Sequence, residues 1–138
     1  MNQQDPKLLT LTLLSDAYAV CRLEPTATVP AAPGDATFYS VTRTSTETSI
    51  ICTERSAPAG CRSEPGWRAL RVHGPFEFTE VGVLSSLAAV LAGADVPILT
   101  LSTFDTDYLF VRHDRLDEAT TALGRAGHRV LHEGESSA

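Results

Sequence analysis

Apolar and polar residues alternate along the first half of the chain with the period of β-strands. Residues 8–14 alternate leucine with threonine, a period of two that is typical of a strand with a buried face. The pattern breaks for two residues and resumes over residues 18–23, so we expect a hairpin. Two further runs rich in β-branched and aromatic residues, 38–42 and 49–53, predict another pair of strands.

Two loops interrupt these strands. Residues 24–36 contain three prolines and a glycine, which exclude a regular helix. Residues 55–66 contain two prolines and two glycines, and the composition of the chain changes there. We therefore predict two domains, residues 1–64 and 65–133, followed by a tail at 134–138.

From Trp67 the pattern changes from the period of a strand to that of a helix. Residues 67–73 alternate and predict a strand. A helix is expected next, with Thr79 placed to cap its start, Phe78 to pack against it and Pro97 beyond its end. Its apolar face consists of residues three or four positions apart: Val83, Leu84, Leu87, Val90, Leu91 and Ala94.

The last third of the chain predicts a hairpin, a helix and a strand. Residues 98–103 and 108–112 are apolar runs on either side of a turn that carries Asp105 and Asp107. A final strand is expected at residues 128–131. The helix before it is indicated by apolar residues at helical spacing: Leu116, Ala119, Leu123 and Ala126.

The resulting order in the second half, β-α-β-β-α-β, is that of a ferredoxin-like unit, in which two helices cover one face of an antiparallel sheet. The first half has strands in similar positions, with a proline-rich loop in place of a helix. SVTRTSTETSIIC at 40–52 also aligns loosely with TLSTFDTDYLFV at 100–111. We therefore expect an α+β fold of tandem ferredoxin-like (βαββαβ) units, the N-terminal one degenerate and strand-rich.

Composition and charge exclude several classes of partner. With 43% hydrophobic and 20% charged residues, the chain has the composition of a folded protein. Its 11 Lys and Arg residues are scattered and outnumbered by 17 Asp and Glu, so we expect no nucleic-acid partner. The longest segment without a charge, residues 81–94, is too short to span a membrane.

No pattern of catalytic or metal-ligating residues stands out. The cysteines Cys21, Cys52 and Cys61 form no Cys-x-x-Cys motif and follow no secretory leader, which favours a reducing, cytoplasmic location. His128 and His132 are four apart but lie in and beside a predicted strand, so we expect no metal site. We expect no cofactor and no enzymatic activity. A small enzyme that uses Cys61 or a histidine is the weakest alternative.

One combination of residues can bind a small ligand. The loop at 74–82 leads into a helix whose free backbone N–H groups favour an anion such as an α-carboxylate. The acidic turn would lie beside it, and its carboxylates favour an ammonium group. These are the two charged groups of a free amino acid. The alternative is structural: Asp105 and Thr106 form an Asx-type turn, and Asp107 caps a backbone N–H.

The second half of the chain, from Trp67 to about Leu131, resembles an ACT domain. The resemblance rests on FTEVGVLSSLAAVLAGADVPILTLSTFDTDYLFVRHDRLDEATTAL, which carries the loop, helix, strand and turn of that family in order. YAVCRL, FYSVTRTSTETSIIC and STFDTDYLFV together resemble the small bacterial relatives of the cytosolic arginine sensors and of the regulatory part of aspartate kinases.

The resemblance implies a pair of ACT-type units that bind an amino acid at an interface between units. Backbone groups of Gly82 and Val83 would hold the carboxylate, and Phe104 would form a wall. Glu80 or Asp107 would meet a basic side chain. The positions that match the binding residues of the family are Glu80, Gly82, Val83, Leu84, Thr103, Phe104 and Asp107.

We therefore expect a non-enzymatic amino-acid sensor, with Asp107 in contact with the ligand and Asp105 forming the turn. Because the arginine sensors are longer and build their site between distant repeats, the equivalent interface here implies a homodimer. A regulated protein partner is also implied. The alternative is a structural protein–protein interaction module with a vestigial ligand site.

Overall fold

The computed structural model describes residues 8–73 and 82–134. The fold is α+β, and neither helix in the described part is long and apolar enough to cross a membrane. Short 3-10 helices lie at Glu54–Ser56 and His113–Arg115. The strands and helices are β1 (Thr10–Leu23), β2 (Ser40–Arg43), β3 (Thr48–Thr53), β4 (Arg62–Val72), α1 (Val83–Gly93), β5 (Ile98–Ser102), β6 (Asp107–Arg112), α2 (Leu116–Arg125) and β7 (Arg129–His132).

Strand β1 is continuous, and the expected hairpin at Ser15 and Asp16 is wrong. A tight hairpin needs residues with positive φ, and neither of these residues has one. Each is held by a partner instead. The Ser15 N–H donates to Glu133 Oε1 at 2.7 Å, and Asp16 Oδ1 accepts from Arg55 Nη1 at 3.0 Å.

Strand β4 begins earlier than the sequence indicated, at Arg62, and includes Pro65 and Gly66. Gly66 has a φ of 86°, a conformation that only glycine adopts without strain. Its N–H donates to Glu54 Oε2 at 2.7 Å. A side chain from the preceding loop therefore satisfies the backbone where the strand departs from regular geometry, and the loop predicted over residues 55–66 ends before Arg62.

Packing divides the chain into two compact units. We call Met1–Ser15 together with Arg68–Ala138 the helical unit, and Asp16–Trp67 the strand unit. Strands β1 and β4 each contribute residues to both units. Among the described residues, 8–15 therefore group with the second half of the chain.

The sheet of the helical unit has the strand order β7-β1-β4-β6-β5. Strand β1 runs parallel to β7, with Thr10 opposite Arg129, and the His73 N–H at the end of β4 donates to the Thr10 carbonyl at 2.9 Å. A four-stranded ferredoxin-like sheet would place β7 directly beside β4. The first strand of the chain occupies that place here, and its parallel pairing makes the sheet mixed instead of purely antiparallel.

Both helices of the helical unit pack against one face of this sheet. Leu87 and Leu91 of α1 and Leu123 of α2 are fully buried there. Leu9, just before β1, joins the same core, to which the sheet contributes alternate residues of its three central strands: Leu11, Leu13, Leu70, Val72, Leu109 and Val111. This is the layered packing expected from the β-α-β-β-α-β pattern.

The strand unit contains β2, β3 and parts of β1 and β4, and none of its residues, all of which are described, forms an α-helix. Strands β1 and β3 are antiparallel, with Cys21 opposite Ile50, and β2 pairs with β3 in the same sense. A small cluster of Ala19, Cys21, Ile50 and Cys52 forms its buried centre. The strand-rich character that the sequence indicated for this half is therefore confirmed.

Candidate functional site

The turn between β5 and β6 is built by Thr103 and Thr106. The Thr103 N–H donates to the Thr106 carbonyl at 2.7 Å, and the Thr106 N–H donates to Thr103 Oγ1 at 3.1 Å. A threonine side chain thus performs the role that we assigned to Asp105. The aspartates of this segment are consequently not needed to form the turn.

A hydrogen bond holds the turn against the end of β4. The Thr106 hydroxyl donates to the Val72 carbonyl, and Thr106 is half-buried. The bond brings the last residues of β4 and the β5–β6 turn together at the same end of the sheet. The side chains of both segments therefore surround a common space.

That space is an open cavity of about 440 Å³. It lies within the helical unit and is wide enough for a small organic molecule. Its described lining comes from the last residues of β4, the turn and the start of β6: Arg71, Val72, His73, Thr103, Asp105, Thr106 and Tyr108.

The cavity combines a cation and an anion. Arg71 and Asp105 are both exposed and carry opposite charges on the same lining. Burial raises the pKa of Tyr108, which the charge of Arg71 partly offsets, so the phenol remains a hydrogen-bond donor at neutral pH. A hydrogen bond fixes the imidazole ring of His73, because its Nε2 lies 2.5 Å from the hydroxyl of buried Thr12.

The three turn residues predicted to bind a ligand, Thr103, Phe104 and Asp107, lie in different positions relative to the cavity. Thr103 lines the cavity, and Phe104 lies at the tip of the turn with 79% of its surface exposed. Asp107 is not on the described lining. It faces Ser102 across the β5–β6 ladder, and the Ser102 hydroxyl donates to its Oδ1. On the described lining the carboxylate is thus that of Asp105, and the assignment of Asp107 to the ligand stays a prediction.

The predicted residues at the start of α1 have structural roles in the described part of the chain. Gly82 caps the helix with a φ of 88°, and its carbonyl accepts from the Ser86 N–H at 2.9 Å. Val83 is buried in the core, and Leu84 packs against it. None of these three is on the described lining of the cavity.

Glu80, together with the expected cap Thr79 and the expected staple Phe78, lies outside the described residues. The ligand contacts assigned to Glu80 and to the helix start therefore stay predictions.

Sequence reasoning missed Arg71, His73 and Tyr108. The alternation over 67–73 contained a signal for two of them, because Arg71 and His73 fall on the strand face opposite buried Leu70 and Val72. Arg71 and His73 are separated by one residue, so their side chains are neighbours on a single face of the strand end.

The described residues contain no group of three or more His, Cys, Asp or Glu side chains arranged to hold a metal ion. Cys21 and Cys52 are buried, and Cys61 is partly exposed.

Comparison with protein families identifies the second half of the chain. A family model described as the ACT domain matches residues 62–125. A second model, which describes the N-terminal domain of another group of proteins, matches residues 16–60.

A relative of known description matches a part of the chain. The human protein named cytosolic arginine sensor for mTORC1 subunit 1 is 35% identical over 60 residues, which is 43% of this chain. The chain covers 18% of the length of that protein.

Two solved structures extend the likeness to nearly the whole chain. The crystal structure of protein Atu0741 from Agobacterium tumefaciens is 35% identical, with a TM-score of 0.85 over 96% of this chain and 98% of that one. The regulatory subunit of aspartate kinase from Thermus thermophilus shares the fold, with a TM-score of 0.60 at 12% identity over 87% of this chain and 99% of that one. Residues 62–125 therefore match the ACT domain family, and the chain as a whole is a relative of the Agobacterium protein over nearly its full length.

Proposed function

We propose that this protein is a regulatory module that binds a free α-amino acid in the cavity beside the β5–β6 turn. The observation that carries the proposal is the presence of Arg71 and Asp105 on one cavity lining. A free amino acid presents a carboxylate and an ammonium group, and charged hydrogen bonds to both are the strongest recognition available to a small polar ligand.

The two charged side chains take separate parts of the ligand. The planar guanidinium of Arg71 suits a carboxylate, to which it can donate two parallel hydrogen bonds. The Asp105 carboxylate accepts from the ammonium group. His73 and Tyr108 supply polar groups for the side chain of the ligand, and His73 is oriented by its bond to Thr12.

The proposal includes a homodimer. Arg71 and Asp105 are solvent-exposed, and exposed charge pairs contribute only about 0–1 kcal/mol because water screens them. Ligand pockets commonly bury 70–90% of a small ligand, so an open cavity needs a cover. We propose that a second copy supplies it, with exposed Phe104 at the contact. The ligand contacts predicted for Glu80, Gly82, Val83 and Leu84 belong to the same proposal.

The comparisons support a regulatory role. The human relative is named as an arginine sensor, and the structural neighbour is a regulatory subunit. On this basis we propose a non-enzymatic protein that resides in the cytoplasm and changes its association with a protein partner when the ligand binds.

We also propose that the strand unit is a reduced ACT-type unit and that it arose by internal duplication. In support, the turn at 44–47 has the hydrogen bonds of the turn at 103–106. The Thr44 N–H donates to the Glu47 carbonyl at 2.9 Å, and the Glu47 N–H donates to Thr44 Oγ1 at 3.2 Å.

Thermal unfolding with each of the twenty amino acids tests the function. An amino acid at one hundred times its dissociation constant should add about 2.7 kcal/mol to the stability of the folded state. Arg71→Ala should abolish the shift, whereas Arg129→Ala, which removes an exposed arginine on β7, should retain it. Failure of every amino acid to shift the transition would favour an interaction module with a vestigial site.

A further inference from the structure

The three cysteines of the chain meet inside the strand unit although 40 positions separate the first from the last. Cys21 and Cys52 are each 1% exposed and belong to the same buried cluster. Cys61 packs against that cluster from the loop before β4, and its side chain is partly exposed. All three thiols are free.

The strand register disfavours a bond between Cys21 and Cys52. Ala19 lies opposite Cys52, and Cys21 lies opposite Ile50, so the two cysteines share a face but sit diagonally. Cα atoms of a diagonal pair are about 7–8 Å apart. A disulfide needs a separation below about 7 Å, so these two strands would have to shift to form one.

Cys61 is better placed to reach Cys21. It follows Gly60, whose φ of 78° turns the chain, and its thiol lies 3.1 Å from the Pro58 carbonyl. The Cys21 thiol interacts with the Cys61 thiol as well as with that of Cys52. A loop residue has more freedom to adjust its Cα position than a residue fixed in a strand ladder.

We propose that Cys21 and Cys61 form an intramolecular disulfide by exchange with an oxidised low-molecular-weight disulfide such as glutathione disulfide. This makes the strand unit a site of reversible thiol modification, separate from the cavity in the helical unit.

The exchange proceeds in two balanced steps. Cys61, as the thiolate, attacks one sulfur of glutathione disulfide, forms a mixed disulfide and releases one glutathione thiolate. Cys21 then loses its proton and attacks the Cys61 sulfur, which forms the protein disulfide and releases the second glutathione. Two protein thiols are oxidised, one glutathione disulfide is reduced, and the two protons pass to the two glutathione thiolates.

The environments of the thiols fix this order. Burial, with smaller effects from Cys52 and Cys61, raises the pKa of Cys21 to about 12, and burial also raises the pKa of Cys52. The thiolate is the nucleophile, so neither buried thiol attacks an external disulfide readily. Cys21 can act only as the second thiol, against a sulfur already in contact with it.

Peptide mapping of the full chain tests the proposal, because trypsin places each cysteine in a separate peptide. The reduced protein is incubated with glutathione disulfide, free thiols are blocked, and the digest is analysed without reduction. We expect one product in which peptide 8–22 is linked to peptide 56–62, while peptide 44–55 carries a blocked Cys52. The oxidised protein should also unfold about 5–10 °C higher, because the cross-link restricts the unfolded chain.

Two variants complete the test. Cys52→Ala should still form the link, and Cys61→Ser, which alters a partly exposed residue, should form none. The proposal is overturned if Cys61 stops at the glutathione adduct, if it joins Cys61 of a second molecule, or if peptide 44–55 replaces peptide 8–22 in the linked product.

Discussion

The turns at 44–47 in the strand unit and 103–106 in the helical unit have nearly the same local structure. In each, a threonine N–H donates to the carbonyl three residues on, over 2.9 Å in the first turn and 2.7 Å in the second. In each, the hydroxyl of that threonine also accepts from the N–H three residues on. Each joins two antiparallel strands, β2 to β3 and β5 to β6.

The surroundings of the two turns differ. Beside the second turn, the end of β4 accepts a hydrogen bond from Thr106 and brings Arg71 into a cavity with Asp105. Beside the first turn, the Arg22 guanidinium donates to the Thr46 carbonyl at 3.2 Å. The same turn geometry therefore occurs beside different neighbouring groups, the guanidinium of Arg22 in one unit and the end of β4 in the other.

The largest difference between the two units should be in the stability that each loses when a core side chain is shortened to alanine. Leu87→Ala removes a fully buried side chain between a helix and the sheet, and we expect it to lower the free energy of unfolding by about 4 kcal/mol. Ile50→Ala should cost about 2–3 kcal/mol, because its half-buried neighbours Leu23 and Val29 can relax into the space. Urea unfolding of both variants measures this, and equal losses would contradict the difference.

Replacing the two carboxylates of the second turn separately should distinguish their roles. We expect Asp105→Asn to weaken amino-acid binding about tenfold, since it removes a charged hydrogen bond. Asp107→Asn should change affinity less than about twofold, because Asp107 is bonded to Ser102 and is not on the described lining. Calorimetric titration of each variant with the amino acid found by thermal screening checks this. The opposite result would restore the assignment made from the sequence.

The equivalence of the two turns can itself be tested. Thr44→Ala and Thr103→Ala each remove the hydroxyl that organises a turn, and we expect each to lower stability by about 1 kcal/mol. Only Thr103→Ala should also reduce ligand affinity, because only Thr103 lines the cavity of the helical unit. A clear difference in stability between the two variants would show that the turns are not equivalent.

The smallest expected effect is a change of stability with pH, and it should be confined to the helical unit. All four histidines lie there, and burial lowers the pKa of His128 below its usual value of 6.5. The unfolded chain therefore binds a proton more readily, and the stability present above pH 6.5 is lost as the pH falls below it. The Leu9 N–H donates to His128 Nδ1 at 3.1 Å, a bond that protonation of this nitrogen would break.

Unfolding midpoints of the protein and of His128→Asn, measured from about pH 7 to about pH 5, check this prediction. Asparagine keeps an acceptor near the position of Nδ1 but does not titrate in this range. The loss of stability on acidification should therefore be smaller in the variant. Identical losses would mean that His128 contributes nothing to the pH dependence.

Periodicity in the sequence predicts the elements of the helical unit closely. The expected strands at 98–103 and 108–112 correspond to β5 and β6, and the helix indicated by Leu116 and Leu123 corresponds to α2. These elements depend on local contacts and on the burial of one face, both of which leave a pattern in neighbouring residues.

The remaining features depend on distant residues. Ser15 and Asp16 resemble a turn in the sequence, but Glu133 and Arg55 hold them in a strand. Likewise, no local pattern indicates that Arg71 and Asp105, on separate elements, line the same cavity. The bond from Thr106 to Val72 that positions them joins residues 34 positions apart.

The position of β1 between β4 and β7 affects how this domain can be inherited. The segment matched by the ACT model, 62–125, carries neither the strand residues 10–15 nor β7. A gene fragment that encoded only this segment would expose the backbone groups of β4 along an open edge, which promotes aggregation. Because distant parts of the chain complete a single sheet, recombination that moves the matched segment alone would transfer an incomplete domain.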